Sequence, residues 1–411
     1  MQVNRLFSSL VITTSILFWI LILYYSVLTI YGLIFKIKED KNEKSLIEYP
    51  SVDILIPAHN EGKVIFETLD AMANLYYPGE LNIYLLNDNS TDNTGEIADY
   101  FAKHFKNVYH IKVPLGTPKG KARVLNYGFS ISKGDMVVIY DADNQPERAA
   151  LIKLVEKAVE REDYAGAVGY VKTINMYKNA LTRMIGLEFM VFQLLMQSGR
   201  WMLFKLGSLT GTNMLVKRKV LEEVGGWDAY ALAEDAELSV RIYSKNYLLP
   251  VVASSVTWEQ EPEKLNVWIR QRTRWMQGNL YLISKIIKDK KMTKGINKFN
   301  TFQMVSIYYL FVSLVIASDV WFVMGLMGKI RIDCQIPLLI LWFETLWIYV
   351  VQIVTSAVVE KEINFKNIIF AVLMYFTYAQ FWIYLVLKGY FLQIKNSFKK
   401  VEPEWDKTLR F

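Results

Sequence analysis

The sequence is poor in the residues that hold soft metals or covalent cross-links. Its 411 residues include one cysteine, Cys334, and three histidines, His59, His104 and His110. A single cysteine excludes an intramolecular disulfide and a cysteine-rich metal centre. So few histidines disfavour a histidine-held zinc, and any metal must rely mainly on oxygen ligands. A Walker phosphate loop is also missing. Gly116 and Gly120 are spaced wrongly for one, and Ala122 stands where a hydroxyl residue is needed. Charge is absent from residues 10–35 and sparse in 302–327, 336–359 and 368–392.

Those four apolar stretches are long enough to cross a bilayer. The first is too long for a cleaved signal peptide, and no small-residue cleavage site follows it. Arg5 stands alone before it, whereas Lys36, Lys38, Lys41 and Lys44 follow, so the positive-inside rule places the central part in the cytoplasm. Four spans put the C-terminus outside; Lys395, Lys399, Lys400, Lys407 and Arg410 favour the inside, so the two rules disagree there. The net charge of +7 comes without a nucleic-acid motif, so anionic lipid and phosphate are the expected partners.

The expected organisation has four parts. Residues 1–45 form an N-terminal anchor with its span at about 10–35. Residues 46–260 form a cytoplasmic catalytic domain, and 261–300 form interfacial amphipathic helices. Residues 301–411 form a C-terminal membrane region and a basic tail. Within the central part, strand-like runs at 52–58, 82–87, 107–113 and 135–141 alternate with helical patterns at 61–74, 92–105, 120–132 and 146–160. Alternation of this kind predicts an α/β fold with a mostly parallel, Rossmann-like sheet. Ligands then gather beyond the carboxyl ends of the strands. Asn60 and Glu61, Asp88, and Asp141 with Asp143 stand at those ends.

Asp141-Ala142-Asp143 offers two carboxylates to a hard divalent cation such as Mg²⁺ or Mn²⁺; a plain turn after a strand reads the same way. Lys121 opens a helix and suits a diphosphate. Glu234-Asp235 also opens a helix, where two acids serve either the helix dipole or general-base chemistry. Gln271, Arg274 and Trp275 share one helical face, presenting an amide, a guanidinium and an indole. A membrane-surface helix anchored by its tryptophan accounts for part of that pattern too.

In order and spacing, Pro57-Ala58-His59-Asn60-Glu61, Asp88, Lys121 to Asn126, DAD at 141–143, Gly211-Thr212-Asn213, Glu234-Asp235 and QRTRW at 271–275 resemble processive members of glycosyltransferase family 2. That group includes cellulose, chitin, hyaluronan and poly-N-acetylglucosamine synthases. The resemblance covers roughly residues 50–280 and implies a GT-A-like domain between transmembrane helices of a bacterial cell membrane. It implies that Glu61 and Asp88 contact uridine, that Lys121 and Asp141 lie near the diphosphate, and that Asp143 ligates the metal with Asp141. Asp235 would be the base. Gln271, Arg274 and Trp275 would hold the diphosphate and acceptor sugar, and Gly211, Thr212 and Asn213 would line the acceptor site.

The implied reaction is inverting, metal-dependent, processive transfer from a UDP-sugar to an exported β-linked polysaccharide. The first choice of donor is UDP-N-acetylglucosamine and the next is UDP-glucose. Non-processive transfer to a lipid is the alternative. Four spans are few for an enclosed channel, so a small membrane subunit or second copy is an expected partner. One departure stands out: Ala233 replaces the usual threonine before Glu-Asp.

Overall fold

The computed structural model describes residues 2–39, 46–289, 292, 298–299, 303, 310, 312–328 and 338–399. Cys334, Lys41, Lys44, residues 400–411 and parts of the expected spans 302–327 and 336–359 lie outside the described residues. The first four strands fall close to their expected bounds: β1 Val52–Ala58, β2 Leu81–Asn87, β3 Val108–Lys112 and β4 Met136–Ile139. Helices α2 Ile65–Ala73, α3 Thr94–His104, α4 Lys121–Ile131 and α5 Ala150–Val159 alternate with them, after the N-terminal helix α1 Gln2–Glu39.

Side chains along β1 explain why the sheet is covered on both faces. Ile54 and Ile56 pack with Ile65, Leu69, Phe101 and Leu154, whereas Leu55 packs with Ala122, Leu125 and Leu238. Alternate residues thus enter two separate cores, and the strand reads as one continuous apolar run.

Four more strands complete an eight-stranded sheet of order β3-β2-β1-β4-β7-β6-β8-β5. These are β5 Gln145–Pro146, β6 Gly166–Thr173, β7 Met214–Lys217 and β8 Val251–Glu259. The β3-β2-β1-β4 half is parallel, as expected. The other half corrects the expectation in part: β6 and β8 pair parallel, but β7 runs antiparallel to both β4 and β6, and β5 antiparallel to β8. The sheet is therefore mixed. Between β6 and β7 the chain makes a long excursion through α6 Ala180–Phe189, a π-helix Met190–Met196 and α7 Gln197–Phe204. That excursion brings the chain back in the opposite direction. Helix α8 Arg218–Val224 follows β7, α9 Glu234–Ser244 precedes β8, and α10 Leu265–Lys288 follows it.

The C-terminal helices are Val312–Leu326, Leu338–Val359, Phe365–Phe376 and Tyr378–Lys399. Among the described residues two segments, Ser8–Glu39 and Phe365–Leu392, are long and apolar enough to cross a membrane; Val312–Met324 and Phe343–Val359 are shorter. A third core containing Val171, Ile185, Trp268, Ile353, Met374 and Leu385 joins the sheet and its helices to these C-terminal helices.

Asn213 ties three strands together behind the future site. It is fully buried with φ of 46°. Its Oδ1 accepts from the Tyr140 hydroxyl at 3.0 Å, and its Nδ2 donates to the carbonyls of Tyr170 at 3.2 Å and Ser255 at 2.8 Å. Losing these bonds strands buried partners, so Asn213→Ala should cost about 3 kcal/mol. Thermal unfolding in detergent measures this; an unchanged melting temperature would show that the tie is dispensable.

Candidate active site

The carboxyl ends of β1, β2 and β4 open into a cavity of about 320 Å³, closed from the other side by α9 and α10. Chain order reverses here: β2 lies on one side of β1 and β4 on the other, which leaves a crevice beyond their ends. Asn60, at φ of 55°, turns the chain off β1, and its Oδ1 accepts from the Thr91 amide at 2.7 Å. The amide of Glu61 donates to the Thr94 hydroxyl at 2.8 Å. These bonds lock the β1 and β2 loops together and present Glu61 and Asp88 to the cavity.

Lys121, the first residue of α4, reaches across this crevice. Its Nζ lies 2.6 Å from Asp141 Oδ1 and 3.3 Å from Glu234 Oε1, and donates to the Gly211 carbonyl at 2.7 Å. Burial works against its charge, but Asp141, Glu234 and Asp235 outweigh that and hold its pKa above the ordinary lysine value. Gly211 has φ of +83°, and a Cβ there would lie 3.3 Å from Asp235 Oδ2 and 3.5 Å from Lys121 Nζ. A bare backbone lets the Asp235 carboxyl and the ammonium approach this turn. Thr212 is buried, and its hydroxyl accepts from the Asp141 amide at 3.0 Å.

Asp235 opens α9. Burial first, then the neighbouring Glu234 carboxylate, push its pKa up to about 7, against the Ala236 amide, which donates to Asp235 Oδ1 at 2.8 Å. A carboxyl with that proton affinity suits general-base work near neutral pH. Opposite it, Gln271, Arg274 and Trp275 of α10 line the same cavity.

The structure therefore brings Glu61, Asp88, Lys121, Asp141, Gly211, Thr212, Asp235, Gln271, Arg274 and Trp275 to one cavity. Two expected site residues do not reach its wall. Asn213 stands behind it, bonded to the sheet. Asp143 is 2% exposed, one residue behind Ala142. Sequence reasoning missed Arg123, which pairs with Asp88, and Glu259, which lines the cavity at the end of β8. Arg123 could have been found two residues after Lys121. Glu259 could not, because the direction of its strand was unread.

The donor set fits a hard divalent cation. Burial, Glu261, Asp143 and Asp141, in that order, hold the Glu259 carboxyl well above its usual range. That crowding of oxygen ligands favours a cation. Among the described residues no three acidic, histidine or cysteine side chains converge to hold a metal by themselves. Two carboxylates completed by substrate phosphates is the usual arrangement for Mg²⁺.

Residues 50–278 match the model of glycosyltransferase like family 2. The probable glycosyltransferase YdaM of Bacillus subtilis (strain 168) is 40% identical over 403 residues, 96% of each chain. The beta-monoglucosyldiacylglycerol synthase of Synechocystis sp. is 28% identical over 57% of this chain and 49% of its own. The poly-beta-1,6-N-acetyl-D-glucosamine synthase of Staphylococcus epidermidis is 24% identical over 88% of each. Among solved structures, the mannosyltransferase PcManGT from Pyrobaculum calidifontis, in complex with GDP-Man and Mn²⁺, superposes with a TM-score of 0.62. It shares 18% identity and covers 95% of this chain and 100% of its own, so the likeness is one of fold. A crevice lined by Asp141, Glu234, Asp235, Gln271, Arg274 and Trp275, on a sheet of this topology, is thus explained by descent: the chain belongs to glycosyltransferase family 2 and is a glycosyltransferase with a GT-A-like fold.

Proposed function

We propose that this glycosyltransferase transfers sugar from a UDP-sugar to a growing β-linked polysaccharide, with inversion. UDP-N-acetylglucosamine is the first choice of donor and UDP-glucose the next. The observation that carries this reading is that Gln271, Arg274 and Trp275 enter the same cavity as Asp141 and Asp235. Donor and acceptor groups then meet at one point. Similarity to the polysaccharide synthase extends over 88% of the chain, whereas similarity to the lipid glucosyltransferase covers 57%. That difference favours a polymer over a lipid acceptor. The catalytic domain lies at the cytoplasmic face of a bacterial cell membrane, anchored by α1 among the membrane lipids, and synthesis is coupled to export. A small membrane subunit or a second copy completes the export path.

Glu61 and Asp88 hold the uridine. Arg274 clamps the diphosphate with paired donors, and Lys121 exchanges its bonds to Asp141 and Glu234 for phosphate oxygens. Asp141 at the cavity wall and Asp143 just behind it, both near Glu259, would hold Mg²⁺ or Mn²⁺, which would supply Lewis-acid neutralisation of charge on the leaving diphosphate. Asp235 accepts the proton of the acceptor hydroxyl. That oxygen bonds to the anomeric carbon as the bond to UDP breaks on the opposite face. One displacement converts an α-linked donor into a β-linked product. Gly211 and Thr212 form the floor of the acceptor site, and Gln271 and Trp275 hold its terminal sugar.

Membranes incubated with radiolabelled UDP-sugars test the reading directly. High-mass polymer supports it, labelled lipid favours the alternative, and no transfer from any UDP-sugar rejects both. Asp235→Asn should lower transfer by about 10³-fold while leaving UDP affinity near wild type. In the wild type, kcat/KM should rise with pH and level off above about 7, where Asp235 is ionised. The same shift has a cost in stability. The folded value lies above the ordinary aspartate value of 3.8, so stability falls as pH rises from there through about 7, and Asp235→Asn should remove that fall. A flat pH profile would remove Asp235 as the base. Asp143→Ala should weaken Mn²⁺-dependent UDP binding and reduce transfer at least about 100-fold; full activity in excess chelator would reject the metal. Trp275→Ala should shorten the product while donor hydrolysis persists, which gel filtration of labelled product reads.

A further inference from the structure

Arg272 sits between Gln271 and Arg274 on α10, yet it does not line the cavity and is 2% exposed. Its Nη2 donates to Glu188 Oε2 at 2.7 Å, and the Tyr378 hydroxyl donates to the same oxygen at 2.7 Å. The guanidinium carbon lies 4.2 Å from the centroid of the Trp275 ring, 5.5 Å from Phe189 and 5.8 Å from Trp382. One buried cation thus touches the last turn of α6, the cavity-lining tryptophan of α10 and the C-terminal helix Tyr378–Lys399.

We propose that Arg272 is a positioning residue. Paired with Glu188, it fixes the orientation of the Trp275 indole, and through Tyr378 and Trp382 it couples that orientation to the helix Tyr378–Lys399. The inference rests on Trp275 as the surface that receives the acceptor sugar. Three considerations carry it. A buried ion pair is a poor device for stability, because a well-packed apolar pair of the same volume often serves as well. What the pair adds here is direction: Glu188 holds the guanidinium so that it meets the indole. The contact with Trp275 is the shortest of the aromatic contacts, and a desolvated cation–π contact of that kind is a strong orienting force. Finally, arginine offers a planar group that bonds the carboxylate and lies against rings at once, which a lysine ammonium cannot do. A wandering indole would let the acceptor hydroxyl drift from Asp235, so orientation decides whether the donor reacts with sugar or with water.

The test uses the full chain in proteoliposomes and reads product length, the ratio of transfer to donor hydrolysis, and donor KM. Removing one charge alone would strand the other, so the informative variant is Arg272→Met with Glu188→Gln, in which the introduced amide oxygen still accepts from Tyr378. This double variant should melt near wild type and keep donor KM within about 2-fold, while the transfer-to-hydrolysis ratio falls about 10-fold and product shortens. Arg272→Lys should rescue part of the loss. Tyr378→Phe should cause a smaller loss in the same direction. Adding Trp275→Ala to the double variant should bring little further loss, because both act through one indole. Wild-type product from the double variant, alongside shortened product from Trp275→Ala, overturns the role of Arg272 and leaves the acceptor reading standing. Unchanged product from Trp275→Ala overturns the acceptor reading itself, and the proposal with it. Loss of kcat at a constant transfer-to-hydrolysis ratio reduces Arg272 to a structural part and also overturns the proposal.

Discussion

The ammonium group of Lys121 lies against three groups: it donates to the Gly211 carbonyl and pairs with the carboxylates of Asp141 and Glu234. These come from the end of β4, the start of α9 and the turn before β7. Removing the cation would leave the carboxylates of Asp141, Glu234 and Asp235 close together in a buried crevice. Opposed charges a few ångströms apart are worth several kcal/mol at the reduced dielectric of such a site, and without them the acidic turn has no reason to face the sheet. The same arrangement leaves Asp235 itself under-compensated: Lys121 lowers its proton affinity less than burial and Glu234 raise it. The lysine thus pairs with Asp141, while burial and Glu234 keep the proton affinity of Asp235 high.

The proposed function draws on this constraint. A diphosphate at the strand ends would compete with Asp141 and Glu234 for Lys121, and Asp141, once released by the lysine, would be available as an oxygen ligand beside Asp143. Charge would then be redistributed within the crevice, with little need to introduce it.

The sequence made the parallel half of the sheet legible because burial on both faces leaves a simple mark: apolar runs such as Val52–Ala58 bounded by polar ends. DAD, Glu234-Asp235 and QRTRW were legible because their chemistry depends on local spacing. The other half was not. β7 is four residues long, and its direction depends on the α6–π-helix–α7 excursion; helices near 181–206 are legible, but not the way they return the chain. Asn213 looked like an acceptor residue next to Gly211 and Thr212, but the left-handed backbone at Asn213 turns its amide toward Tyr140, Tyr170 and Ser255. Arg123 was overlooked for a geometric reason. Residues two apart point to different sides of a helix, so Lys121 reaches Asp141 while Arg123 reaches Asp88.

The departure at Ala233 has a physical setting. A Cβ placed on Gly278 would lie 2.6 Å from the Ala233 Cβ and 2.7 Å from its amide nitrogen. Helix α10 therefore crosses the residue before Glu234-Asp235 nearly backbone to backbone, with small residues on both sides. Gly278 lies one helical turn beyond Arg274, on the same face. The contact thus limits how closely α10 approaches the acidic turn, and with it the distance between Arg274 and Asp235 across the cavity. Two turns further on, Lys285 bridges Asp228 at 2.6 Å and Glu237 at 2.7 Å, which pins the same helix to both flanks of the acidic turn. Contact at Ala233 limits the approach and Lys285 limits the separation, so Arg274 and Asp235, the proposed clamp and base, are held in register from both directions.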